Sequence, residues 1–152
     1  GSLLLTEKDI VSRANAADIK AMVCIDDPFV MEQTEAAVPQ IDHPVTKILI
    51  EQHRDGWLNF EDAVSPMPDT FSVPDPARTK SSDPFMIFFT SGTTGLPKMV
   101  QHSCSYPLGH IVTAKYWQQV QENKLHLSVS DSGWGKFSWG KIYGQWRRGF
   151  CL

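Results

Sequence analysis

The chain has 152 residues, 41% of them apolar, and its 14 basic and 17 acidic side chains leave a formal charge of −3. A chain of this length buries about 70% of the surface its unfolded form exposes, so disorder is excluded as the main state and no disulfide or metal staple is required. Apolar runs such as Phe85–Phe89 fall far below the roughly 18 residues of a membrane span, and Cys24, Cys104 and Cys151 have neither disulfide-framework nor zinc-ligand spacing, which fits a reducing compartment.

In chain order, Gly1-Ser2 reads as a vector-derived remnant, because no initiating Met, basic segment or apolar leader precedes the first helix-like pattern. The natural start is expected to lie elsewhere. Thr6, with Asp9 three residues on, is a loose capping signal, and Ile10, Val11 and Ala14 follow at helical spacing. Lys20 to Asp26 holds Met22, Val23, Cys24 and Ile25 in one run, the pattern of a strand covered on both faces, as in a parallel sheet. A helix from Phe29 to Ala37, ended by Pro39, leads to a second such strand over Thr46–Glu51. Strand, helix, strand at this spacing predicts a βαβ unit. Five prolines between Ser65 and Pro84, with several Asp and Ser, predict an irregular connection long enough to hint at function or a subdomain boundary.

Phe85–Phe89 is expected to form a third strand, and Met99-Val100 to restart strand structure beyond the segment that follows it. From Ser103 to Gln119 a helix is expected to carry Leu108, Ile111, Val112, Tyr116 and Trp117. A last helix, capped by Asp131 or Ser132, should bury Trp139, Ile142, Tyr143 and Trp146, with Arg147 and Arg148 before Gly149. Phe150–Leu152 reads as the start of another strand, so the sequence looks cut rather than finished. The fold class expected is α/β: a three-layer, mostly parallel sheet with flanking helices, flavodoxin-like or Rossmann-like, with residues 3–152 as a single domain.

Charge is uneven along the chain. Residues 1–89 carry 7 Lys/Arg and 15 Asp/Glu, whereas residues 90–152 carry 7 and 2. The basic portion also holds Trp117, Trp134, Trp139 and Trp146, a composition open to nucleic acid or to an internal segment separated from its acidic neighbours. No zinc-finger, homeodomain or RRM core sequence accompanies it.

The most informative segment is Thr90-Ser-Gly-Thr-Thr-Gly-Leu-Pro-Lys98. A phosphate needs several donors converging in a small space; glycines let backbone N–H groups approach it, and hydroxyls and an ammonium add contacts. Four hydroxyls (Thr90, Ser91, Thr93, Thr94), Gly92, Gly95 and Lys98 supply all of these. It is not a Walker A loop: Leu96 and Pro97 separate Gly95 from Lys98, and Met99 stands where the magnesium-binding hydroxyl belongs. That pairing disfavours a P-loop kinase or GTPase.

These residues resemble the phosphate loop of the adenylate-forming (AMP-binding) enzymes, which include acyl-CoA synthetases, firefly luciferase and nonribosomal-peptide adenylation domains. Ser130-Asp-Ser-Gly-Trp-Gly-Lys-Phe-Ser-Trp139 with Trp146, together with Leu5–Ile10 and Arg54–Trp57, is similar to the medium-chain acyl-CoA synthetase branch. The resemblance implies an ATP-dependent, magnesium-requiring ligase that joins a carboxylic acid to AMP and then passes the acyl group to CoA. It assigns Thr90, Ser91, Gly92, Thr93, Thr94, Gly95 and Lys98 to the ATP phosphates, with Lys98 as the catalytic cation, and Trp134 to the acyl pocket. His102 stands where relatives often have a histidine and receives no catalytic role, and Lys136 reads as a solvated helix residue. The family's Tyr-Gly-x-Thr-Glu segment, ribose-binding aspartate and distal lid lysine are absent, so this piece of the large N-terminal domain is expected to be inactive alone. Medium-chain fatty acids or aromatic acids such as benzoate fit the branch; acetate and propionate fit the wider family. The implied location is cytoplasmic, or the mitochondrial matrix in a eukaryote, and the basic portion then suits ATP and CoA rather than nucleic acid. A non-catalytic nucleotide- or phosphate-binding module is the alternative.

Overall fold

A computed structural model describes residues 2–90, 95, 97–121 and 123–145. Two compact units emerge: residues 3–77 with 89–99, and residues 78–88 with the chain from 100 onward, together with the extreme N-terminus. They divide between Ala77 and Arg78, inside the proline-rich connection.

In the first unit, helix α1 (Glu7–Ala17) begins as its sequence predicts. The Asp9 carboxylate accepts the Thr6 backbone N–H at 3.2 Å and its hydroxyl at 2.7 Å, which engages a donor that the helix itself leaves free. The helix ends where Asp18 turns left-handed (φ 50°). Helix α2 (Pro28–Ala37) is capped by Asp27, whose carboxylate accepts from the Phe29 and Val30 N–H groups at 3.0 and 3.1 Å, with Pro28 at the first helical position. The chain then tightens into a 3₁₀ turn, Val38–Gln40, around Pro39, which has no N–H to continue an α-helix.

Strands β1 (Ala21–Cys24) and β2 (Thr46–Leu49) run parallel, with Val23 opposite Ile48, as a βαβ unit requires. A two-residue strand that the sequence did not reveal, β3 (Leu58–Asn59), pairs parallel with β2, giving the order β1-β2-β3. A short helix α3 (Phe60–Val64) follows, its first turn held by the Asn59 side chain, which accepts from the Asp62 N–H at 2.8 Å.

Met31, Leu49 and Trp57 form the core of this unit, with Cys24 packed against them. Trp57 keeps its indole N–H satisfied by donating to Glu35 at 2.5 Å, and Lys47 lies 3.5 Å from the same carboxylate and 5.0 Å over the Trp57 ring. The expectation that the strands are covered on both faces fails here: Val23 is 55% and Leu58 49% exposed while Leu49 is fully buried. Side chains alternate between faces with period two, and among the described residues only the face carrying Cys24 and Leu49 is covered.

The second unit starts with a knot of backbone contacts in which Cys104 and Ser105 donate to the carbonyls of Asp83 and Ser81 at 2.9 and 3.2 Å. Strands β4 (Pro84–Thr90) and β5 (Lys98–Ser103) pair with each other as a separate two-stranded sheet. Their connection is too short for a parallel crossover of about a dozen residues, so they form a hairpin. Helix α4 (Tyr106–Tyr116) turns an unexpected face inward. Pro107 and Ala114 are buried, with Tyr106 and His110 in line with Ala114 along the helix, whereas Leu108, Val112 and Tyr116 stand 52%, 60% and 69% exposed. Aromatic contacts, described below, select that face over the aliphatic one.

The last described segment also departs from expectation. Asp131 does not cap a helix; its carboxylate accepts the Gly133 N–H at 2.7 Å and holds a turn instead. Trp134 occupies the capping position of a single α-turn, α5 (Gly135–Phe137), and the chain continues as a π-helix over Ser138–Tyr143. Trp139, Ile142 and Tyr143 are half-buried there, but the wider π spacing replaces the α-helical stripe. Trp146 through Gly149 and the expected strand Phe150–Leu152 lie outside the described residues. No described helix is long and apolar enough to cross a membrane.

Candidate functional site

The hydroxyl-rich segment runs from the end of β4 to the start of β5. Thr90 ends β4 and donates its hydroxyl to the Lys98 carbonyl in a long hydrogen bond of 3.5 Å, so the two ends of the segment meet across the ladder. Gly95 adopts φ +105° with open space where a Cβ would stand. Backbone conformation rather than packing therefore demands glycine there. Lys98 is exposed, and among the described residues no carboxylate pairs with it. A point charge at the start of β5 with no carboxylate partner among the described residues is what an anionic ligand requires. Ser91, Gly92, Thr93 and Thr94 lie outside the described residues.

At the start of that turn, Phe89 receives the Arg13 guanidinium of α1, whose carbon sits 5.2 Å from the ring centroid. Arg13 Nε is buried without a hydrogen-bond partner.

Trp134 belongs to the other unit. Its side chain is 71% exposed and its backbone links the Asp131 turn to α5, donating to the Asp131 carbonyl at 3.0 Å and accepting from Phe137 at 2.9 Å. Lys136 is exposed, as expected. His102 packs into an aromatic cluster 4.0 Å from Tyr106 and 5.5 Å from Phe88, centroid to centroid. Tyr106 in turn meets His110 at 4.5 Å, and His110 stacks on Trp139 at 5.8 Å. Burial, and then the neighbouring His102, push the His110 pKa below its usual value, which favours a neutral ring. Burial likewise pushes the Tyr106 and Tyr143 hydroxyls up. In the sequence His102 stands alone at a strand end; the step of four from Tyr106 to His110 along α4 is the signal for the cluster.

A family model described as AMP-binding enzyme matches residues 2–152. The chain belongs to that family. Among relatives of the AMP-binding chain, mitochondrial acyl-coenzyme A synthetase ACSM4 of Rattus norvegicus is 34% identical over the whole chain, and mitochondrial ACSM5 of Homo sapiens is 35% identical over the same extent. The chain spans 26% of the length of each, about a quarter of the curated relatives it matches. Its fold is also that of solved structures. The anthranilate CoA ligase AuaEII, crystallised with anthranoyl-AMP, superimposes with a TM-score of 0.85 at 18% identity, covering 98% of this chain and 28% of that one. An acyl-CoA synthetase from Brucella canis gives 0.74 at 19% identity, with 93% and 25% covered. The AMP-binding fold accounts for the parallel βαβ unit read from the sequence, and the family resemblance drawn from the Thr90–Lys98 segment is borne out.

Proposed function

We propose that this chain is the phosphate-gripping part of an AMP-forming acyl-CoA synthetase. The observation that carries the reading is the junction of β4 and β5, where Thr90 reaches the Lys98 carbonyl and Lys98 has no carboxylate partner among the described residues, in a chain of the AMP-binding family. In the reaction, a carboxylate oxygen attacks the α-phosphorus of ATP, the bond to the β-phosphate breaks, and pyrophosphate leaves. The CoA thiolate then attacks the acyl carbon and AMP departs. Negative charge gathers on the leaving pyrophosphate, so Ser91, Thr93, Thr94 and Lys98 act on the β- and γ-phosphates, with Thr90 joining the ends of the turn and Gly92 and Gly95 admitting the backbone N–H groups. Trp134, exposed at the start of α5, lines the acyl pocket. Magnesium would arrive with the triphosphate; among the described residues no group of three or more His, Cys, Asp or Glu side chains is placed to hold it. CoA is the acceptor, and the acid is a medium-chain or aromatic carboxylate. The relatives' names favour a mitochondrial location over the cytoplasm.

In the full-length protein, Lys98→Ala should slow ATP–pyrophosphate exchange by about 10²-fold or more, as loss of one preorganised transition-state charge does, while transfer from preformed acyl-adenylate to CoA changes far less. Equal losses in both half-reactions would remove Lys98 from the role. Undiminished nucleotide binding with no exchange for any acid would instead indicate a non-catalytic module.

A further inference from the structure

We propose that Arg13 is a positioning residue for the phosphate turn. The inference rests on the reading of Lys98 given above and concerns a residue that lies far from it in sequence. Arg13 projects from α1, and its guanidinium carbon sits 5.2 Å from the centroid of Phe89. Phe89 is the residue immediately before Thr90, and Thr90 reaches the Lys98 carbonyl at 3.5 Å. A cation on this ring therefore fixes the strand end from which the turn departs.

Two further observations separate this contact from incidental packing. Arg13 Nε is buried with no acceptor, a cost that a solvated arginine would avoid, so the side chain is held on the ring rather than turned to water. No carboxylate forms an ion pair with Arg13 among the described residues. Asp9, one turn earlier on α1, is engaged by the Thr6 N–H and hydroxyl. The cation–π contact acts beside a longer-range attraction between Arg13 and Asp9, which helps to lower the Asp9 carboxyl after its bonds to Thr6, and residues 89–99 cluster with residues 3–77 rather than with the remainder of their own strands.

Cation–π attraction requires charge, whereas packing requires only bulk. In the full-length protein, Arg13→Met keeps the length and removes the charge. It should raise KM for ATP in the exchange reaction by roughly three- to tenfold, leave KM for the acid unchanged, and lower the melting temperature little. Arg13→Lys should recover most of the loss, and Phe89→Leu should reproduce it without adding to Arg13→Met in the double variant. An unchanged ATP KM in both Arg13→Met and Phe89→Leu, alongside a damaging Lys98→Ala, overturns the positioning role and leaves the proposed function standing. Loss of melting temperature without a KM change also overturns it. If Lys98→Ala itself is silent, both fall. Should Arg13→Met fail to fold, Phe89→Leu and Arg13→Lys carry the test alone.

Discussion

Residues 3–77 with 89–99 and residues 78–88 with 100–145 satisfy their polar groups by different means. In the first unit, helix ends are closed by neighbours in sequence: Thr6 and Asp9 for α1, Asp27 for α2, Asn59 for α3. Its buried indole has a carboxylate partner, and its core of Met31, Leu49 and Trp57 is aliphatic and aromatic around a parallel sheet. The second unit is held by rings. Phe85, Phe88, His102, Tyr106, His110, Trp117, Trp139 and Tyr143 meet edge-on, tilted or stacked. Among the described residues it also holds most of the buried side-chain atoms that lack a hydrogen-bond partner: His110 Nδ1, Gln118 Oε1, His126 Nδ1 and Gln145 Oε1, against Arg13 Nε in the first. Local capping specifies a frame, whereas aromatic contact selects faces and tolerates spare hydrogen-bonding capacity.

The sharpest way to break this comparison is through Leu49, fully buried at the centre of the first unit. Leu49→Ala should destabilise it by about 2–5 kcal/mol, read as lost hydrogen-exchange protection across β1 and β2 in the full-length protein. A change confined to β4 and β5 would show that the units are not separate. Next in size is Gly144, where an added Cβ would stand 2.9 Å from the Trp139 carbonyl and 3.1 Å from Gln118 Oε1. Gly144→Ala should cost about 1–3 kcal/mol through forced backbone movement, appearing as deprotection of α4 and the π-helix with β1 and β2 unaffected.

The smallest effect concerns pH and His43. Its Nδ1 lies 2.6 Å from the Asp42 carboxylate and its Nε2 2.9 Å from the Ile19 carbonyl, with Asp18 at 3.8 Å. Both nitrogens face acceptors, and only the imidazolium donates to both. The Asp42 hydrogen bond, then the Ile19 carbonyl, raise the pKa above its usual 6.5, while burial and Lys20 oppose them. Because the folded value exceeds the unfolded one, the stabilisation is complete below about pH 6.5 and disappears as pH rises through the folded value. Thr46, which donates to the Lys20 carbonyl at 2.9 Å beside this clamp, should lose exchange protection over that rise in the wild type but not in His43→Gln. Parallel profiles would remove the clamp from the account of the first unit.

Much of the frame is legible in the sequence because its signals are local. Asp27-Pro28 announces a helix start through a side chain that caps its own next turn, the Val23 and Ile48 runs announce strands, and the Thr90–Lys98 composition announces the AMP-binding family. The misreadings have different causes. Asp131 has a capping residue's chemistry but spends it locally, closing a turn on the Gly133 N–H two residues on. The aliphatic stripe Leu108, Val112 and Tyr116 has core composition but faces outward, because the aromatic partners of Tyr106 and His110 lie on other elements.

The sequence by itself determined that the chain is α/β, that β1 and β2 are parallel, and that a hydroxyl- and glycine-rich segment ending in Lys98 follows β4, because hydrophobic period, proline and glycine placement and donor density are properties of short stretches. Only the tertiary structure decided that Leu58-Asn59 joins the sheet, that Tyr106 and His110 turn inward to meet Tyr143 and Trp139, and that Arg13 reaches Phe89 at the end of β4. Those choices depend on pairs of residues distant in the chain, whose meeting is set by packing and aromatic electrostatics rather than by any local preference of the backbone.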